Sequence, residues 1–108
     1  MSESSDLGEE SQAVLAFIHA SQAGVLRDAI AALEESSPDD LPAVVHSIRG
    51  SLGSYRLHDA HAHVADLSRL IADQSTSPAS ADAARLGTVE ALRALQVAAE
   101  DRSVISHG

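Results

Sequence analysis

Apolar residues recur at helical spacing through most of this 108-residue chain, and this periodicity constrains its fold more than any other feature. The pattern begins at Val14, Leu15 and Ile18 and continues almost to the C-terminus. No segment alternates with the two-residue period of a half-buried strand. Phe17 and Tyr55 are the only aromatic residues, so the core must consist of Leu, Val, Ile and Ala, which favour helices. We therefore predict an all-α protein.

Two proline-containing breaks divide the helical pattern. The first contains Pro38, which prevents a helix from continuing, and Asp40, which can cap the next helix. In the second, Ser77 can cap a helix whose first position is Pro78. Ser21 is a further candidate cap, so the segment before the first break is either one bent helix or two. Amphipathic helices with short connections predict an antiparallel four-helix bundle, here with an additional short N-terminal helix.

A chain of this length holds one domain and has too little material for a second core. We predict a bundle over residues 9–102, a flexible N-terminal tail over 1–8 and a C-terminal tail over 103–108. A closed bundle with every apolar stripe buried is expected to be a monomer. The stripes predicted to be buried after the first break are Leu41, Val44, Val45, Ile48, Leu52 and Tyr55, then Leu57, Ala60, Val64, Leu67 and Leu70 or Ile71, then Leu86, Val89, Leu92, Leu95 and Ala99.

The charge and composition exclude several classes of function. The net charge is −9, lysine is absent, and the chain has no basic patch, which argues against binding to nucleic acid or anionic lipid. Without cysteine there are no disulfides and no thiolate metal sites. The chain starts with acidic and polar residues, and no apolar run approaches the roughly 20 residues that span a bilayer, so we expect a cytoplasmic protein. The arginine-rich composition suits a bacterium with a GC-rich genome.

The chemically informative segment is His46-Ser47-Ile48-Arg49-Gly50-Ser51. Residues three and four apart are neighbours on a helix, so Arg49 and Gly50 lie one turn beyond the imidazole of His46. Each interior glycine costs a helix roughly 1 kcal/mol relative to alanine, which close approach of another molecule can offset. Such a histidine can attack a phosphoryl group while Arg49 offsets its charge and Gly50 and Gly53 leave the approach open. An ordinary, partly exposed histidine on a weak helix is the alternative.

This segment resembles the signature of the histidine-containing phosphotransfer (HPt) family, loosely His-x-Leu-Lys-Gly-Ser, and the resemblance extends over roughly residues 10–100. It implies a phosphorelay intermediate that has no kinase activity and carries a phosphoryl group on His46. Arg49 would be the charge partner, and Ser47, Gly50 and Gly53 would form the docking surface. The implied partners are response-regulator receiver domains and a hybrid sensor kinase. The protein would need no cofactor, since the receiver supplies Mg²⁺.

Three positions depart from the family pattern. Arg49 replaces a lysine, which keeps the charge but changes the donor geometry. Arg56 replaces a glycine, and Gly53 could supply the flexibility instead. Ser68 stands where a glutamine often orients the phosphohistidine, so Ser68 and Arg69 are candidate supports from the next helix. These departures leave room for a degenerate domain that binds receivers but transfers poorly. The alternatives are a non-catalytic helical adaptor that binds and sequesters a receiver or kinase, and a fragment of a larger sensor kinase.

A second group of histidines, His58, His61 and His63, lies close together in the segment that follows. His58 and His61 share a helix face, and two imidazoles can chelate Zn²⁺ or Ni²⁺. A catalytic site would need at least one more protein ligand. We interpret the group as a solvated polar face and predict no metal site.

Overall fold

A computed structural model describes the backbone of residues 2–105 and the side chains of residues 13–102. Four helices make up this part of the chain: α1 (Ser2–Glu35), α2 (Leu41–Ser54), α3 (His58–Ala72) and α4 (Pro78–Ile105). No strand occurs in residues 2–105, so the all-α prediction is confirmed. None of the four described helices is both long and apolar enough to cross a bilayer.

The segment before the first break is one helix of 34 residues. Neither a break at Ser21 nor a separate short N-terminal helix occurs within residues 2–35, because Ala23 and Leu26 continue one buried stripe through this region. The predicted tails overlap helices, since α1 includes residues 2–8 and α4 reaches Ile105. Their flexibility stays a prediction, and residues 1 and 106–108 lie outside the described backbone.

All four helices contribute to one apolar core. Its buried members are Ala23, Leu26, Ala29, Ile30, Leu33, Leu41, Val45, Ile48, Leu52, Ala60, Val64, Leu67, Val89, Leu92 and Ala99. Most of the predicted stripe positions are buried or half-buried, but Tyr55 and Leu86 are 46% and 48% exposed. Tyr55 is the C-cap residue of α2 and therefore leaves the helical stripe. The buried face of α4 also includes Thr88. Leu86 lies off this face and is therefore exposed to solvent.

The first break contains the predicted turn but a different cap. Asp40 occupies the N-cap position of α2, yet its carboxylate makes no capping hydrogen bond. Instead, the Ser37 hydroxyl donates to Asp40 Oδ2 at 2.9 Å. The Ser37 carbonyl accepts from the backbone N–H groups of Asp40 and Leu41, at 3.1 and 3.0 Å. The turn is thus held mainly by Ser37.

The second break is held at both ends by side chains. The Ser80 backbone N–H donates to Ser77 Oγ at 3.1 Å, so Ser77 caps α4 as predicted. After α3, the Ser75 hydroxyl and backbone N–H donate to Asp73 Oδ1 at 2.7 and 2.9 Å. These two hydrogen bonds, the hydroxyl first, hold the pKa of the Asp73 carboxyl below its usual value.

Three hydrogen bonds show how α1 lies against the other helices. Near the C-terminus of α1, Arg93 Nη2 donates to Glu34 Oε1 at 2.9 Å, and Arg85 Nη1 donates to the Leu33 carbonyl at 3.1 Å. Further back, Gln22 Nε2 donates to the Tyr55 carbonyl at 3.1 Å. The end of α2 therefore lies beside Gln22, and the first half of α1 extends past it.

Candidate functional site

His46 lies in the first half of α2 and is exposed to solvent. Its position follows from the packing of α2, which buries Leu41, Val45, Ile48 and Leu52 on one face. His46 follows Val45 directly and is turned about 100° around the helix from it, away from the buried stripe. The imidazole is therefore available to another molecule.

Arg49 is half-buried and reaches from α2 to α3. Its Nη1 donates to Ser68 Oγ at 3.5 Å, a long hydrogen bond that joins the two helices. Its Nε is buried and has no hydrogen-bond partner among the described residues. A guanidinium has five N–H groups, so the contact with Ser68 anchors Arg49 and leaves other donors for an anion. The sequence indicates Arg49 and Ser68 as candidates but not their contact. Helical periodicity shows which residues share a face of one helix, not which residues of different helices meet.

Arg69, the other candidate support, is directed elsewhere. Its guanidinium pairs with the carboxylate of Asp66, one turn earlier on α3, and both side chains are exposed. Ser68, not Arg69, contacts α2, and its partner there is Arg49. Of the two candidate supports that the sequence indicates, the structure therefore brings only Ser68 into contact with α2.

The three predicted docking residues lie on different sides of the exposed surface of α2. Gly50 is bare, since a Cβ built there meets no atom within 4 Å. Gly53 faces α3, where a Cβ would lie 3.9 Å from Cδ2 of His61. Ser47 faces α1 and lines a groove with Val25 and other residues of that helix. Gly50 is therefore the open centre of this surface.

Arg56, at the position of the family's glycine, has a φ of 58°, the left-handed conformation that glycine favours. The Leu57 N–H donates to the Leu52 carbonyl at 3.0 Å, and the Arg56 N–H to the Gly53 carbonyl at 3.2 Å. These two bonds form a Schellman motif that ends α2. No described glycine has a positive φ, so Arg56 itself makes the turn, and the flexibility of Gly53 stays a prediction.

The histidines of α3 were the second group of candidate metal ligands. His58 and His63 are exposed, and His61 is half-buried beside Gly53. Among the residues with described side chains, no group of three or more His, Cys, Asp or Glu is placed to hold a metal ion. The His46 segment is therefore the candidate site that the structure supports best.

Comparisons of the chain with protein-family models, with curated proteins and with solved structures found no match. The resemblance to the HPt family thus depends on the residues from His46 to Ser51 and on their position in the helical fold.

Proposed function

We propose that this protein is an antiparallel four-helix bundle of the HPt type and a phosphorelay intermediate that carries a phosphoryl group on His46. The observation that supports this most strongly is one face of α2. It combines an exposed imidazole, a half-buried guanidinium one turn away and the bare surface of Gly50. A relay of this kind would operate in the cytoplasm.

The proposed reaction is a direct transfer between two proteins. The lone pair of His46 Nε2 attacks the phosphorus of a phosphorylated aspartate on a receiver domain, so Nδ1 carries the hydrogen. An N–P bond forms as the P–O bond to the aspartate breaks, and the electron pair of that bond stays on the departing carboxylate. The reverse step passes the group to the aspartate of a second receiver. The protein itself supplies no metal, because Mg²⁺ belongs to the receiver.

Arg49 supports the transfer through its charge. The phosphoryl group gains negative charge beside the imidazole, and the guanidinium lies within one helical turn. The contact with Ser68 holds this cation between α2 and α3 and so restricts its rotamers before the partner arrives. Because Arg49 is half-buried, salt screens its charge less than it screens a fully exposed one. Ser68 would therefore act on the phosphohistidine through Arg49.

Gly50 gives the partner access. A receiver must bring its phosphorylated aspartate to the imidazole, and a side chain one turn along α2 would stand in the way. Apart from the adjacent backbone of α2 itself, no described atom lies within 4 Å of the Cβ that Gly50 lacks, so the missing side chain leaves open solvent rather than a filled space. Ser47 and Gly53 extend this surface toward α1 and α3. The partners are receiver domains, with a hybrid sensor kinase upstream.

A non-catalytic adaptor is the second candidate function. It is favoured by Ser68, which contacts Arg49 and is shorter than the glutamine of the family pattern. Such an adaptor would bind a receiver through the same surface without accepting its phosphoryl group. If the chain were a fragment of a larger sensor kinase, it would be the phosphotransfer module of that kinase and would use the same face of α2.

Transfer and binding can be separated in one experiment. A receiver domain is charged with a labelled small phosphodonor and Mg²⁺, freed of excess donor, and mixed with this protein. The phosphorelay proposal expects label to move to the protein and to return to an uncharged receiver. Binding of the receiver without movement of label would support the adaptor instead. A chain that neither binds nor accepts label from a panel of receivers would contradict both.

A further inference from the structure

The N-terminal half of α1 exposes four large apolar side chains. Val14, Leu15, Phe17 and Ile18 are all exposed, and Phe17, the only phenylalanine of the chain, is 73% exposed. They are neighbours on the helix surface, because residues 14 and 17, 14 and 18, and 15 and 18 are three or four apart. We call these four residues the α1 patch. The expectation of a monomer assumed that every apolar stripe is buried, and this one is not.

The patch is uncovered because α1 is longer than its neighbours. α1 has 34 residues, whereas the two helices that pack against it, α2 and α4, have 14 and 28. The hydrogen bond from Gln22 to the Tyr55 carbonyl marks the point at which α2 ends beside α1. Ile18 lies one turn before Gln22 on the same face, and Leu15 lies a further turn away. The face of α1 that packs against α2 therefore continues beyond the end of α2.

The patch is also uncharged in a strongly acidic chain. No Asp, Glu, Lys or Arg occurs between Glu10 and Arg27, although the net charge is −9. Two copies that meet through this segment would bring apolar side chains together without placing like charges opposite each other. A basic partner would find no carboxylate here to pair with. The charge pattern thus fits a second copy of the chain better than a basic partner.

We propose that the α1 patch is the interface of a weak, twofold-symmetric homodimer in which α1 packs against α1 of a second copy. The four side chains expose roughly 400 Å² of apolar surface per copy. With the polar rim that surrounds an apolar centre, the total buried area reaches about 1,200 Å², the lower limit for specific interfaces. Interfaces at this lower limit are typical of weak, transient association. The dimer is therefore concentration-dependent.

This dimer leaves His46 accessible. His46 lies nine residues before Tyr55, or about 13 Å back along α2, and the α1 patch lies beyond the other end of that helix. The inference is independent of the proposed phosphotransfer, since it rests only on the shape, charge and apolar surface of α1. Either can fail without the other.

Sedimentation velocity of the full 108-residue chain tests the proposal. Between about 1 µM and about 500 µM, the average mass should rise from 11.2 kDa toward twice that value. Because the interface is uncharged and the chains are acidic, added salt should strengthen the dimer slightly. Phe17→Glu and Ile18→Glu should each weaken self-association at least tenfold. Val97→Glu is the matched control, because Val97 is 53% exposed on α4 and lies outside the patch.

Circular dichroism should show each variant as helical as the wild-type chain, since all three positions are exposed. A wild-type chain that stays monomeric over the whole range would overturn the proposal. So would dissociation by Val97→Glu but not by Phe17→Glu, or a mass that grows past the dimer. Monomers that bind a receiver through Phe17 would assign the patch to that partner and also overturn it.

Discussion

The outward faces of α2 and α3 contain similar residues but arrange them differently. Each helix carries exposed histidine, His46 on α2 and His58 and His63 on α3, and each carries an arginine. Arg49 of α2 reaches across to the neighbouring helix, is half-buried and keeps an unpaired Nε among the described residues. Arg69 of α3 stays exposed and pairs with a carboxylate on its own helix.

If His46 carries a phosphoryl group as proposed, this difference indicates which surroundings distinguish it from the histidines of α3. The imidazole is common to both faces, so it does not distinguish them. On α2 the nearby cation has no carboxylate partner among residues 13–102, and the bare Gly50 leaves room for another protein. On α3 the arginine pairs with the carboxylate of Asp66 instead. We therefore infer that the surroundings of His46, rather than the histidine alone, make α2 the reactive face.

The largest expected effect is on phosphoryl acceptance, which should depend on His46 of α2 and not on the histidines of α3. His46→Gln should abolish phosphoryl acceptance, because it removes the attacking nitrogen. Its free energy of unfolding should change by about 0.5 kcal/mol or less, since the side chain is exposed. His63→Gln on α3 should accept label at the wild-type rate. Label transfer from a charged receiver, with thermal melts of each variant, checks this. Unfolding of His46→Gln would mean that His46 is a core residue.

The next effect compares two exposed glycines. Gly50→Leu should slow receiver docking and transfer at least tenfold, because the side chain fills the approach to His46. Gly87→Leu on α4 is the matched control, since a Cβ at either glycine meets no atom within 4 Å. Both changes should stabilise the fold, by up to about 1 kcal/mol, because leucine is the better helix former. Normal exchange by Gly50→Leu would remove the docking role of this surface.

A smaller effect is expected for the two arginines. Arg49→Ala should slow transfer several-fold and shorten the lifetime of the phosphohistidine, while binding of the unphosphorylated protein to a receiver changes little. Arg49→Lys should restore most of the activity, because a point charge is sufficient for phosphate. Arg69→Ala should have little effect, because Arg69 pairs with Asp66 at the surface. Rates at low and high salt measure the charge contribution. Equal rates for Arg49→Ala and wild type at low salt would rule out Arg49 as the charge partner.

The smallest effect concerns the turn between the two helices. Arg56→Gly should increase the free energy of unfolding by about 1 kcal/mol, because glycine adopts the positive φ without a Cβ penalty. Gly53→Ala should also be tolerated, because that position is helical and a Cβ would make ordinary contact with His61. Urea denaturation measures both. A destabilised Arg56→Gly variant would show that the arginine side chain stabilises the turn.

Much of the fold could be predicted from local signals. The helix breaks depend on Pro38, Pro78 and the Ser77 cap, which act within a few residues, and the structure confirms them. The single α1 helix could not be predicted, because Ser21 is compatible with a cap and with a helix interior. Whether this segment forms one helix or two depends on its packing against α4 and α2, and the local sequence does not indicate that packing. The exposure of Tyr55 likewise depends on where α2 ends.

The candidate site was predictable in its residues but not in its contacts. Helical spacing alone places Arg49 and Gly50 one turn beyond His46. It does not show that Arg49 turns toward Ser68, because these residues are on different helices. The conformation of Arg56 could be suspected only from a glycine in the family pattern, since arginine itself gives no signal for a positive φ.

The most direct test of the account is the chemical identity of the phosphorylated residue. The full chain is phosphorylated by a charged receiver and examined by phosphorus NMR and by stability in acid and base. We predict one acid-labile N–P linkage, at Nε2 of His46, that disappears in His46→Gln and persists in His63→Gln. Acid-stable phosphate on Ser47 or Ser51, label on an α3 histidine, or a chain that binds charged receiver without gaining phosphate would contradict it.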